Sequence, residues 1–188
     1  LTEIFARGLR NPQNLCFDPG GSGTFILTDI GQSHIEEVNL GIKGANYGWP
    51  LREGTFVIDR RNPQNLSRLP ANDPSYTYPV AQYDHDEGRA IAGGFVYRGN
   101  AAPALRGHYL FGDIVNGRVF HVPVAELRLG RQATIRELTF RHQDRTVTLQ
   151  NLVQGMNGRV DLRFGQGENG EVYILTKQDG MIRRLRQG

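Results

Sequence analysis

The chain has 188 residues, with 22 basic against 19 acidic side chains and a net charge of only +3 at neutral pH. That length can bury one real core without covalent staples. The near-balanced, scattered charge argues against a nucleic-acid-binding surface, and no apolar run approaches the roughly 18 residues of a membrane span. Gly 24 and Pro 9 together make 33 of 188 residues, above the usual ~12%, which favours many short strands joined by turns. Lys43 and Lys177 are the only lysines, so 20 of the 22 basic residues are Arg. Such an excess suits bidentate recognition of carboxylate or phosphate, or reflects a simple surface preference.

In chain order, three segments share one layout of strand, turn, strand, turn, strand. The first runs Leu15-Cys16-Phe17, a Gly-rich turn, Thr24-Phe25-Ile26-Leu27-Thr28-Asp29, then Ile35-Glu36-Glu37-Val38-Asn39-Leu40. Cys16, the only cysteine, cannot form an internal bridge and reads as a buried thiol. Between Trp49 and Arg89 the pattern dissolves into a proline-bearing stretch, too long for an ordinary connection, which reads as a lid or a long edge loop over about residues 50–89. The second unit runs Gly94-Phe95-Val96-Tyr97-Arg98, Tyr109-Leu110-Phe111-Gly112-Asp113 and Gly117-Arg118-Val119-Phe120-His121-Val122. The third runs Leu162-Arg163-Phe164, Val172-Tyr173-Ile174-Leu175-Thr176 and Met181-Ile182-Arg183-Arg184-Leu185. No stretch holds a helical period beyond one or two turns.

The class is therefore all-β. Strand units recurring at long intervals predict a β-propeller, each unit being a small antiparallel sheet that buries its faces on its neighbours. At about 40 to 45 residues per blade, the chain holds about four blades in a single domain over residues 1–188. A β-sandwich would space its strands more closely and evenly.

Several phrases together resemble the soluble glucose/sorbosone dehydrogenase family, six-bladed propellers that use pyrroloquinoline quinone, and also the related propeller of Hedgehog-interacting protein. They are Gly8-Leu9-Arg10-Asn11-Pro12-Gln13, Glu37-Val38-Asn39-Leu40, Asn46-Tyr47-Gly48-Trp49-Pro50, Gly93-Gly94-Phe95-Val96-Tyr97-Arg98-Gly99 and Tyr109-Leu110-Phe111-Gly112-Asp113, closed by the strand 170–176. The resemblance implies that the chain is the C-terminal part of a six-bladed ring. Upstream polypeptide or a second copy would then complete the ring. The chain's opening at Leu1, in a strand-like run with no initiator Met, fits that expectation. The family's catalytic histidine lies in the earlier blades, so no catalytic residue is assigned here. His34, His85, His108, His121 and His142 read as ordinary strand or loop histidines.

The resemblance also implies a site. Arg10 and Asn11 match an Arg-Asn pair that lies over the cofactor, and Gly31 and Gln32 fall where backbone oxygens hold the cofactor calcium. Glu37 and Tyr47 keep the ten-residue separation of a structural calcium clamp, to which Glu53 and Asp59 could add oxygens, as hard cations prefer. Pyrroloquinoline quinone is a tricarboxylate and needs cationic forks. Two departures weigh against it: Ile114-Val115-Asn116-Gly117 lacks the family's Lys or Arg, and Gly158-Arg159-Val160-Asp161 keeps one Arg, out of phase. The leading expectation is oxidation of an aldose or related sugar, with the quinone as hydride acceptor, in a periplasmic or secreted protein. The alternative is a non-catalytic, calcium-stabilised propeller that binds a protein or carbohydrate partner.

Overall fold

A computed structural model of the chain describes residues 3–18, 20–21, 23–70, 73–153 and 159–187. Strands β1 (Pro12–Phe17), β2 (Phe25–Asp29) and β3 (Ile35–Leu40) form an antiparallel meander, as the first strand unit predicts. The chain then makes a small sheet of β4 (Arg52–Glu53), β5 (Phe56–Ile58) and β6 (Leu66–Arg68). It returns as β7 (Ala81–Asp84), which pairs with β3 and completes a first sheet ordered β1-β2-β3-β7. Residues 50–89, expected as a lid or a long edge loop, carry strands of their own. The tract is a three-stranded insertion followed by the outer strand of the first sheet. Its prolines hide this in the sequence, because β7 is only four residues long and gains its stability from pairing with β3 across some forty intervening residues.

The second sheet holds β8 (Ile91–Ala92), β9 (His108–Asp113), β10 (Val119–Pro123) and β11 (Arg136–Glu137), ordered β11-β10-β9-β8. Its first strand is shorter than Gly94–Arg98 predicts. The ladder starts at Ile91 and breaks at Gly93 and Gly94, after which Val96 makes an isolated bridge to Tyr109. A Cβ on Gly94 would strike the Leu110 carbonyl, so only glycine lets the two backbones approach this closely. A hairpin of β12 (Phe140–His142) and β13 (Arg145–Val147) follows, then one helical turn, Leu149–Leu152, capped by Thr148. The third sheet is β14 (Leu162–Gln166), β15 (Val172–Thr176) and β16 (Met181–Arg184).

Period-two alternation stacks these sheets face to face. Cys16, Ile26, Val38, Ala81 and Tyr83 of the first sheet meet Ile91, Tyr109, Phe111, Phe120 and Val122 of the second. On its opposite face the second sheet presents Ala92, Leu110 and Val119 to Leu162, Val172 and Ile174 of the third. The Cys16 thiol is buried as expected, and burial pushes its pKa up to about 12.

Candidate functional site

At one end of the first sheet, β1 begins, β2 ends and β3 begins, and four of the residues singled out in the sequence come together. Asp29, buried at the end of β2, accepts the backbone N–H of Arg10 at 2.8 Å on Oδ2 and of Asn11 at 2.6 Å on Oδ1. This fixes the Arg10 backbone beside the β2–β3 loop. The guanidinium then donates from Nε to Gln32 Oε1 at 2.8 Å, and from Nη1 to the carbonyls of Ile30 at 3.1 Å and Gly31 at 2.7 Å. Its carbon stands 5.8 Å from the Trp49 ring centre, within cation–π range. The Asn11 residue is exposed. Arg10, Asn11, Gly31 and Gln32 therefore form one cluster. The Gly31 carbonyl, expected to face a calcium, accepts from Arg10.

The loop that carries Gly31 and Gln32 is shaped by Glu53. One carboxylate oxygen of this buried residue accepts the consecutive amides of Ser33 at 2.9 Å, His34 at 2.7 Å and Ile35 at 3.0 Å. A Cβ at Gly31 would collide with the Ile35 carbonyl, so the close approach requires glycine. Glu53 is the residue that could add an oxygen to a calcium beside Glu37 and Tyr47, and its Oε1 is committed to the loop. Its Oε2 is buried without a partner among the described residues.

Glu37 and Tyr47 both lie on the outer face of the first sheet but are held by different groups. Glu37 accepts from the Gly54 amide at 2.6 Å and from Asn39 Nδ2 at 2.9 Å, and burial pushes its pKa up to about 8, with the charges of Asp29 and Glu53 adding to the rise. The Tyr47 hydroxyl donates to the Leu40 carbonyl at 2.6 Å and accepts from the Ile42 amide at 3.2 Å. Asp59 is exposed and caps its own turn by accepting from the Arg61 amide. Among the described residues no three His, Cys, Asp or Glu side chains form a ready metal-ligand set.

The two departures from the family pattern have distinct settings. Val115 and Asn116 wrap around the buried Asp113, whose Oδ1 accepts their amides at 2.9 and 2.8 Å. The nearby Arg118 is engaged by Glu137 and by the Glu87 carbonyl. Arg159 pairs with Asp161 at 3.2 Å, while Gly158 of the same phrase lies outside the described residues.

Four buried carboxylates, Asp18, Asp29, Glu36 and Asp113, went unread in the sequence. Asp113 Oδ2 also accepts the amides of Arg89 at 2.5 Å and Ala90 at 2.8 Å and the Tyr83 hydroxyl at 3.2 Å. Glu36 bridges the first and second sheets, sharing a hydrogen bond with His85 Nε2 at 2.9 Å and accepting the Ile91 amide at 2.8 Å. The available signal was positional: Asp29 and Asp113 both end the middle strand of their units.

Comparison with known proteins adds an independent line. The family model described as glucose/sorbosone dehydrogenase matches residues 1–184. The HIPL1 protein of Arabidopsis thaliana is 30% identical over 193 residues, covering 98% of this chain and 27% of that protein. The soluble aldose sugar dehydrogenase of Escherichia coli, solved in its apo-form, superposes with a TM-score of 0.67 at 23% identity, over 100% of this chain and 48% of that one. A pyrroloquinoline-quinone-bound aldose sugar dehydrogenase from Streptomyces coelicolor gives 0.58 at 20% identity, over 98% and 42%. The chain thus spans less than half the length of these relatives.

Proposed function

The chain belongs to the glucose/sorbosone dehydrogenase family, and from that premise we propose that it supplies part of a quinoprotein-type propeller that oxidises an aldose or related sugar. The observation that carries this reading is the preorganised Arg10. Three acceptors and the Trp49 ring hold its guanidinium at an open sheet end, where it can pair with a carboxylate at little further cost in side-chain entropy. When bound, pyrroloquinoline quinone would accept the hydride from the sugar. Arg10 and Asn11 would orient it, and the Gly31 and Gln32 backbone would hold its calcium, since a carbonyl oxygen keeps a second lone pair beside the one that accepts from Arg10. The histidine base would come from polypeptide outside this chain. The expected setting is periplasmic or secreted, and among the described residues no helix is long and apolar enough to cross a membrane.

The second reading is a non-catalytic, calcium-stabilised binding propeller. Valines at 115 and 160 in place of cations favour it, as does the engagement of Arg118 by Glu137. Each lost fork removes a charge-assisted hydrogen bond of about 1.5–3 kcal/mol. Titration of the protein with pyrroloquinoline quinone in calcium distinguishes the two. The enzyme reading expects saturable binding, dye reduction with aldoses, and loss of most of both in Arg10→Ala. An absence of quinone binding at tens of micromolar would leave the binding module.

A further inference from the structure

We infer that His108 and His121 form a binding site for a late first-row divalent cation, Zn2+, Cu2+ or Ni2+, on the face of the second sheet that turns toward the third. The two residues come from neighbouring strands: His108 lies opposite Pro123, and His121 opposite Leu110, so they are diagonal neighbours on one face. Their ring centroids are 5.0 Å apart with planes inclined at 58°. The Nδ1 atoms of both rings are buried and meet no hydrogen-bond partner among the described residues. A buried imidazole nitrogen without a partner is costly, and two such atoms on touching rings share one remedy.

The spacing fits an ion. With metal–nitrogen bonds of about 2.0–2.1 Å, two imidazoles on one tetrahedral centre place their ring centres about 5 Å apart. Both rings present neutral lone pairs at neutral pH, since burial lowers both pKa values and brings that of His121 down to about 4. Imidazole donors select zinc, copper and nickel over calcium, which takes oxygen. This site is therefore separate from any calcium near Glu37.

Two charged groups face the pair. Glu126, ending the short turn Val124–Glu126, lies close enough for its charge to raise the affinity of His108 for a proton, and it would favour a cation there without being one of the two ligands. Arg136 is in register with His121, opposes a cation there, and holds Glu126 Oε1 at 3.3 Å. Removing Arg136 should both lift the repulsion and release the carboxylate.

Calorimetric titration of the folded chain with Zn2+ and with Cu2+ tests the site. One ion per chain is expected, with affinity falling at least ten-fold in His108→Gln and in His121→Gln, unchanged in His142→Gln, and rising in Arg136→Gln. Copper electron paramagnetic resonance on the wild-type chain should show two coupled nitrogens and needs no variant to fold. Circular dichroism identifies any variant that does not. No binding at tens of micromolar metal, a copper signal without two nitrogens, or equal binding by the folded double variant would each overturn the assignment.

Discussion

Glu37 shows how a single buried carboxyl can tie stability to pH. Its pKa of about 8 lies above the ordinary value of 4.5 because burial penalises the charge. The folded state therefore binds the proton more tightly than the unfolded chain does. Stability is fully present below the unfolded pKa and falls as pH rises from about 4.5 through about 8. The protonated form also has a partner, because Asn39 Oδ1 is buried without a hydrogen-bond partner among the described residues and would accept from Glu37 after a half-turn of the amide. Glu37→Gln should flatten the stability–pH profile over that window in chelator, removing a loss on the order of 2–4 kcal/mol. Urea titrations at pH 5 and 8 measure it, and parallel profiles would refute it. Calcium demands the ionised carboxylate. Chelation at pH 8 should therefore lower the wild-type melting temperature and leave Glu37→Gln unmoved. Binding at a hundredfold excess over Kd stabilises by about 2.7 kcal/mol, and a wild type insensitive to chelator would remove calcium from the account.

At the scale of elements, buried carboxylates tie strand ends to neighbouring loops. Asp113 holds the amides before β8 and those after β9, as Asp29 holds the two that precede β1. Asp113→Ala would leave four backbone donors and the Tyr83 hydroxyl without their acceptor. Since hydrogen bonds to a charged group contribute about 1.5–3 kcal/mol each, even partial replacement by water leaves an expected loss above ~3 kcal/mol in denaturant unfolding. A change under 1 kcal/mol would show that the loops are held by other means. The strands these residues terminate were legible because β2 and β9 are short continuous apolar runs between Gly-bearing turns. β7 and the β4–β6 insertion were not, since two- to four-residue strands carry too few alternations to be recognised. The site chemistry was hidden too: Arg10 was readable as a fork, but the Ile30 and Gly31 carbonyls became its acceptors only once β1 was aligned on β2.

For the whole molecule, the two outer faces decide its behaviour. Leu15 and Phe17 of β1 are 58% and 59% exposed, beside an open groove of about 560 Å³ lined by Phe5, Leu9 and Phe25. At the far end of the stack Met181 and Ile182 of β16 are 54% and 70% exposed. Apolar sheet faces and unpaired strand edges of this kind drive association. The isolated chain is expected to self-associate unless further polypeptide covers both faces, and Leu15→Glu with Phe17→Glu should reduce that association. Size-exclusion chromatography with light scattering reads the outcome. A monodisperse wild-type monomer that unfolds cooperatively would show that these faces need no cover.

What the sequence determined by itself was the all-β class, the three strand units, the burial of Cys16 and the family, because short apolar runs between turns and short phrases are local and survive without knowledge of partners. The tertiary structure alone decided that β7 completes the first sheet, that Glu53 shapes the loop bearing Gly31, that Glu37 is buried beside Asp29, and that His108 meets His121. Each of these depends on strand register or on contacts across sheets. A one-residue slip in register exchanges the two faces of a strand, so no linear spacing could specify which of these side chains meet.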